Sequence, residues 1–189
     1  MDSKTILIEG PDGAGKSSLA RAIFGAVQAN RGQYSYIHNG LYPDSETAFA
    51  AYYSQQREVL EIHALARALG KEHIQVQDRG AISEYIYGMA MRGYSCKPAL
   101  DEFMEEFAMC ENNYLVICLP PLSVCKANWS VRAKKKDEYI ENENRFEQVH
   151  RLYREYAMEL VDSSIFGYRL IVTDYQTNRD GLVINWSIS

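Results

Sequence analysis

Eight residues near the amino terminus, Gly10-Pro11-Asp12-Gly13-Ala14-Gly15-Lys16-Ser17, carry the spacing G-x-x-x-x-G-K-S. Glycines at these positions let backbone N–H groups turn inward around phosphate oxygens, the lysine reaches the terminal phosphates, and the serine hydroxyl offers an oxygen to Mg2+. The binding set is therefore Gly10, Asp12, Gly13, Ala14, Gly15, Lys16, Ser17 and the adjoining Ser18, with Lys16 the first catalytic candidate. The apolar run Ile6-Leu7-Ile8 precedes the loop and a helix-like stretch, Ser18–Gln28, follows it. A strand before the loop and a helix after it is the context in which such a loop meets phosphate.

The elements that position this loop are legible as alternating patterns. Short runs rich in β-branched or aromatic residues recur at Thr5–Glu9, Tyr34–His38, His73–Gln77, Tyr114–Leu119 and Tyr168–Val172, with helical spacing between them. Strands alternating with helices imply βαβ units, hence an α/β fold with a five-stranded parallel sheet covered on both faces, a three-layer αβα sandwich. Ser45 is placed to cap a long helix over 46–69 that ends at Gly70, and Ser95 and Pro98 mark another running to about Glu111. Pro120-Pro121 stops the fourth strand ahead of a helix through about Ala133. Over 141–160, Phe146, Val149, Leu152, Tyr153, Tyr156 and Leu160 form one stripe at 3/4 spacing, the signature of core packing.

Composition narrows the function classes. The 189 residues are 47% hydrophobic and 24% charged, and no Pro/Gly/Ser-rich linker divides them, so one domain over 1–189 is expected. A formal net charge of −5 gives no overall basic footprint for duplex DNA or an anionic membrane; a nucleic-acid substrate is disfavoured, with only a local basic stretch left to support it. No apolar run approaches the roughly 20 residues of a membrane span, so a cytoplasmic protein is expected. Cys96, Cys110, Cys118 and Cys125 lack C-x-x-C pairing and read as free thiols rather than a zinc site or disulfides.

A phosphate loop does not separate kinase, hydrolase and switch; the next evidence is Asp78-Arg79, just past the third predicted strand, at the carboxyl edge where open α/β sheets bind ligands. An acid there holds Mg2+ through water or orients a hydroxyl, and an arginine beside it grips a phosphate bidentately. A surface ion pair is the competing reading on local grounds.

In combination the motifs go further. Glu9–Ser18 resembles the loop of the thymidylate kinases, P-loop NTPases that phosphorylate a nucleoside monophosphate. The resemblance continues through Tyr53 and Arg57, Asp78-Arg79, Ser83 and Tyr87, Arg92-Gly93, the Pro120-Pro121 strand end, the basic stretch 126–141 and the helix around Phe146–Tyr156, so it covers most of the chain in order. It implies ATP and Mg2+ as cofactors, a helical lid at about 126–141, dTMP as acceptor and a homodimer. It also implies roles. Lys16, Asp78 and Arg79 are catalytic, with Ser17 and Asp78 serving the metal, and Asp12, Tyr53, Arg57, Arg79, Ser83, Tyr87 and Arg92 meet the acceptor. One type within the family carries an arginine in the loop where this chain has Gly13, so the resemblance sends the catalytic cation to the lid, with Arg132 ahead of Lys134, Lys135 and Lys136.

Several positions keep a plainer alternative: Tyr53 and Tyr87 as core aromatics, Arg57 as a solvated helix face, Asp12 as a turn former. The chain departs from the pattern after the second strand, where His38–Ser45 contains no arginine, and at Gly88, which replaces a glutamine and leaves room beside the base. These departures keep open a kinase for a hydroxyl acceptor, a nucleoside or a hydroxymethylated pyrimidine, in DNA included, with Asp78 as base. A nucleotide-dependent switch is the reading from another class, and no Asn-Lys-x-Asp guanine-reading sequence supports it.

Overall fold

The computed structural model describes residues 4–28, 33–39, 46–71, 73–133 and 143–174. Their order is β1 (Lys4–Glu9), α1 (Lys16–Gln28), β2 (Gln33–His38), α2 (Glu46–Ala68), β3 (His73–Asp78), α3 (Ala81–Tyr87), a π-helical segment (Gly88–Arg92), α4 (Lys97–Met109), β4 (Asn113–Cys118), α5 (Leu122–Ala133), α6 (Glu143–Ser163), a 3-10 turn (Gly167–Arg169) and β5 (Leu170–Thr173). The strands form one parallel sheet in the order β2-β3-β1-β4-β5, so the first strand and the loop behind it stand at the centre. Strands buried on both faces read as continuous apolar runs, as Leu115, Val116 and Ile117 of β4 do.

The core joins the sheet to α3, α4 and α6. Tyr153, Phe146, Phe107 and Phe166 are among its largest fully buried side chains, and Phe103, Phe107 and Phe166 form a chain of ring contacts at 6.1 Å. The stripe expected on α6 is there: Phe146, Val149, Tyr153, Tyr156 and Leu160 are buried.

Of the boundaries that differ from the sequence expectations, three have a clear physical reason. Helix α1 starts at Lys16 rather than Ser18, because Ser18 and Leu19 both donate to the Gly15 carbonyl and draw the end of the loop into the first turn. Asp78 belongs to β3, paired in register with Ile8 and His38. The last strand begins at Leu170, not Tyr168: Gly167–Arg169 coils into the 3-10 turn, Tyr168 is exposed, and Arg169 reaches the carbonyls of Cys110 (2.6 Å) and Ala108 (2.9 Å). Past Tyr87 the helix changes at Gly88 from α to π, and Arg92 at its end pairs with Glu84 of α3. The Ser45 cap and the lid beyond Ala133 lie outside the described residues, as do Lys134, Lys135 and Lys136. Among the described residues no helix is long and apolar enough to cross a membrane.

Candidate functional site

The loop from Gly10 to Ser17 owes its shape to backbone that only glycine adopts readily. Gly10, Gly13 and Gly15 have φ of 143°, 76° and 85°. Neighbouring chain closes on two of them. A Cβ on Gly10 would overlap the Cys118 carbonyl oxygen, and one on Gly13 would overlap that of Cys125. The Asn128 side-chain amide holds the Gly13 carbonyl at 2.8 Å, so α5 clamps the loop from outside. Lys16 and Ser17 open α1 and line a cavity, and the helix dipole at that end favours an anion.

Lys16 is almost fully buried, and its ammonium donates to the Pro11 carbonyl at 2.7 Å. Burial, with Arg79 nearby, pushes it down to about 8. A triphosphate offers this group better partners than one carbonyl.

Beside the loop, β3 supplies Asp78 and Arg79. Asp78 is fully buried; its Oδ2 accepts from Tyr36 Oη (3.1 Å) and faces His38 Nδ1 (2.9 Å), and the Ser17 hydroxyl helps to stabilise the charge of the same carboxylate. Burial opposes its charge, but Ser17, Lys16 and His38 outweigh burial and hold the carboxyl below the usual value. Oδ1 has no hydrogen-bond partner among the described residues. A serine hydroxyl and a carboxylate with a spare buried oxygen fit Mg2+, Ser17 as an inner oxygen and Asp78 as acceptor for the ion's water.

Arg79 has φ of 72°, unusual outside glycine, and its backbone is held on both sides: its N–H donates to Ile8 O (2.9 Å) and its carbonyl accepts from Asn39 Nδ2 (2.7 Å). Such strain persists only where surroundings over-determine it. The guanidinium pairs with Asp12 and lies 5.1 Å over the Tyr87 ring, while Tyr87 Oη accepts from the Asp12 N–H at 3.0 Å. Burial works against the Asp12 charge, and Arg79 and Lys16 together hold its carboxyl below the usual range. Arg79 Nη1 is buried without a hydrogen-bond partner among the described residues. Gly13, Gly15, Lys16, Ser17, Arg21, Tyr36, His38 and Arg79 line one cavity of about 450 Å3.

Of the five further residues expected at the acceptor, Tyr53, Ser83, Tyr87 and Arg92 share neighbours among Glu9, Glu84 and Tyr153, and Arg57 stands apart. Tyr53 is buried, its hydroxyl donating to Ala81 O at 3.3 Å. Arg57, four residues on, faces outward and bridges Glu102 (2.8 Å) and Glu106 (2.7 Å) of α4, away from the loop cavity. Ser83 is fully buried against the Glu9 carboxylate, through its N–H (3.2 Å) and its hydroxyl (2.5 Å). Tyr87 serves the loop backbone as described above. Arg92 pairs with buried Glu84 at 2.5 Å and stacks 5.6 Å over the Tyr94 ring. The room expected at Gly88 is taken: a Cβ there would overlap Arg92 Nη2 and lie 3.1 Å from the Tyr94 carbonyl oxygen. The side chain of Arg132 is not among those described.

Two features went unassigned in the sequence. Glu9, the last residue of β1, is wholly buried, joins α3 to α6 through Ser83 and Tyr153 Oη (3.3 Å), and is shifted upward by that burial. His38 ends β2 beside Asp78. Its signal was available: a histidine closing a parallel strand lies at the edge where ligands bind.

The sequence matches no family model and no curated protein sequence. Its backbone does match solved structures. A deoxyadenosine kinase from M. mycoides, with dCMP and dCDP bound, superposes with a TM-score of 0.51 at 16% identity, covering 91% of this chain and 90% of that one. The YorR protein of Bacillus subtilis, in complex with phosphorylated GDP, gives 0.55 at 23% identity, covering 92% and 86%. The chain shares their fold. That agreement matches the parallel five-stranded α/β architecture expected from the sequence.

Proposed function

We propose that the protein is an ATP- and Mg2+-dependent kinase that transfers a phosphoryl group to an acceptor of the deoxynucleoside class. The observation that carries this reading is the meeting of Lys16 and Ser17 with Arg79 around one cavity, with Asp78 hydrogen-bonded to the lining residues Tyr36 and His38 and two buried polar atoms, Arg79 Nη1 and Asp78 Oδ1, without a hydrogen-bond partner among the described residues. A switch also holds Mg2+ with a strand-end acid, so Asp78 does not separate the two readings; the buried arginine beside it suits a second, anionic group.

Each residue has a definable task. The loop amides and Lys16 bind the donor's β- and γ-phosphates, and Arg79 takes charge on the transferred group once it exchanges part of its contact with Asp12. Ser17 and Asp78 would hold Mg2+, which supplies charge neutralisation on the phosphates. Asp12, released from Arg79, is the loop's candidate for an acceptor sugar hydroxyl. Transfer is in line, and positioning rather than strong general-base chemistry dominates if the acceptor is a phosphate.

The order of the motifs makes dTMP the first acceptor to test. A second reading, a hydroxyl acceptor, is favoured by the pairing of Arg57 with Glu102 and Glu106 and of Arg92 with Glu84, which engages both arginines that the resemblance sends to the acceptor. ADP release from Mg·ATP, measured across deoxynucleosides and their monophosphates, decides between them. Turnover that no acceptor stimulates would remove the kinase reading altogether.

A further inference from the structure

We propose that Arg21 binds the phosphate of a deoxynucleoside monophosphate acceptor, so that one helix, α1, serves the donor with its first turn and the acceptor with its second. The proposal rests on the kinase reading above and adds to its binding set a residue that no motif in the sequence singles out. Arg21 is exposed on α1 and lines the cavity together with Lys16, Ser17, Tyr36, His38 and Arg79. It follows Ser17 by four residues, which puts both on one side of the helix, with Arg21 about 6 Å further along the axis. Its guanidinium stands within electrostatic reach of Tyr36 on β2, whose hydroxyl donates to Asp78 Oδ2 at 3.1 Å. The arginine therefore borders the cavity on its β2 side, past Ser17 as seen from the loop.

Charge shows what that wall suits. Lys16, Arg21 and Arg79 bring three cations to a cavity that no carboxylate lines among the described residues. Lys16 and the loop amides serve the donor's phosphates, and Arg79 serves the transferred group. Arg21 is a further cation on the same space, and it enters no ion pair among the described residues. Arg79, also in the lining, carries a buried Nη1 without a hydrogen-bond partner among the described residues. A guanidinium presents parallel N–H groups that match two phosphate oxygens, a fit that a hydroxyl does not use. The anion that phosphoryl transfer brings to this space besides the donor is the acceptor's own phosphate. For an exposed helix arginine the plain alternative is a solvated face, which predicts no effect on any substrate.

The test uses the full chain with Mg·ATP and matched pairs of deoxynucleoside and 5′-monophosphate for each base, in wild type, Arg21→Ala and Arg21→Lys. Wild type is expected to phosphorylate a monophosphate. Arg21→Ala should raise the KM for that monophosphate about 10–100-fold, the loss of a charge-assisted contact, with the KM for ATP within about twofold of wild type. Calorimetric titration with the same monophosphate, without ATP, should show a matching loss of affinity. Arg21→Lys keeps the charge without the fork and should recover part of it. An unchanged acceptor KM in Arg21→Ala overturns the proposal, and so does a rise confined to the KM for ATP, which would put Arg21 on the donor. A fall in the unfolding midpoint together with both KM values rising marks a structural role and overturns it as well. Turnover of deoxynucleosides only overturns it while leaving the kinase reading intact; silence with every acceptor overturns both.

Discussion

Replacing Gly13 with alanine tests whether the loop is shaped by its packing as well as by its own sequence. At φ of 76° an L-residue bears a left-handed penalty of about 1–2 kcal/mol. The new Cβ would overlap the Cys125 carbonyl oxygen and stand 3.1 Å from its carbon, so backbone must move, a form of overpacking that costs about 1–3 kcal/mol. If α5 yields, the cost appears in stability. If the loop yields, the Asn128 bond to Gly13 is lost and the amides leave their phosphate-binding positions. A combined loss of about 2–5 kcal/mol is expected across the two quantities, where each 1.4 kcal/mol is roughly tenfold in affinity. Gly25 is the control: it lies inside α1 with nothing within 4 Å of a would-be Cβ, and alanine there should add about 0.5–1 kcal/mol of stability. Urea denaturation and calorimetric titration with a non-hydrolysable ATP analogue measure both terms. Gly13→Ala with wild-type stability and wild-type affinity would refute the packing argument, as would equal losses at Gly13 and Gly25.

Glu9→Gln removes a titrating group from the core. Burial raises the folded-state pKa of Glu9 above the ordinary value of 4.5, so its contribution is fully present below that value and fades as pH rises through the folded one. The stability difference, wild type minus Glu9→Gln, should fall across that window in urea denaturation at stepped pH, and a flat difference would reject the assignment. Arg132→Ala should lower kcat far more than it raises the KM for ATP, because a lid cation acts as charge develops in transfer; unchanged turnover would return the cation role to another residue. The resemblance to a dimeric family, with Ile62 and Leu65 exposed on α2 and Leu69 exposed just past its end, leads to a fourth expectation. We expect self-association through that face. Leu65→Glu should halve the mass seen by sedimentation equilibrium, and a monomeric wild type would dispose of the idea.

Local rules made the framework legible in the chain alone. The phosphate loop depends on three glycines and a lysine-serine pair within eight residues, and the strands depend on runs whose burial is written in their composition. Backbone dihedral preference and periodicity act over a few residues, so the loop, the five parallel strands and the α6 stripe could all be read before any contact was known. The partners of charged side chains are set differently. Asp12 and Arg79 are 67 residues apart, Arg57 and Glu106 49, and His38 and Asp78 40. Nothing local in the chain gives the carboxylate partners of Arg57 and Arg92, two arginines expected at the acceptor. The sheet decides the matter, because parallel register lays the end of β2 beside the end of β3 and brings His38 to Asp78. The same holds at Gly88, where the chain suggests open space and the π-helical turn folds Arg92 into it. Sequence by itself determined that this protein presents a phosphate loop on a parallel α/β sheet. Which cations remain available around that loop was decided by the tertiary structure, since burial forces each charge to the nearest opposite one and the nearest is defined only once the chain has folded.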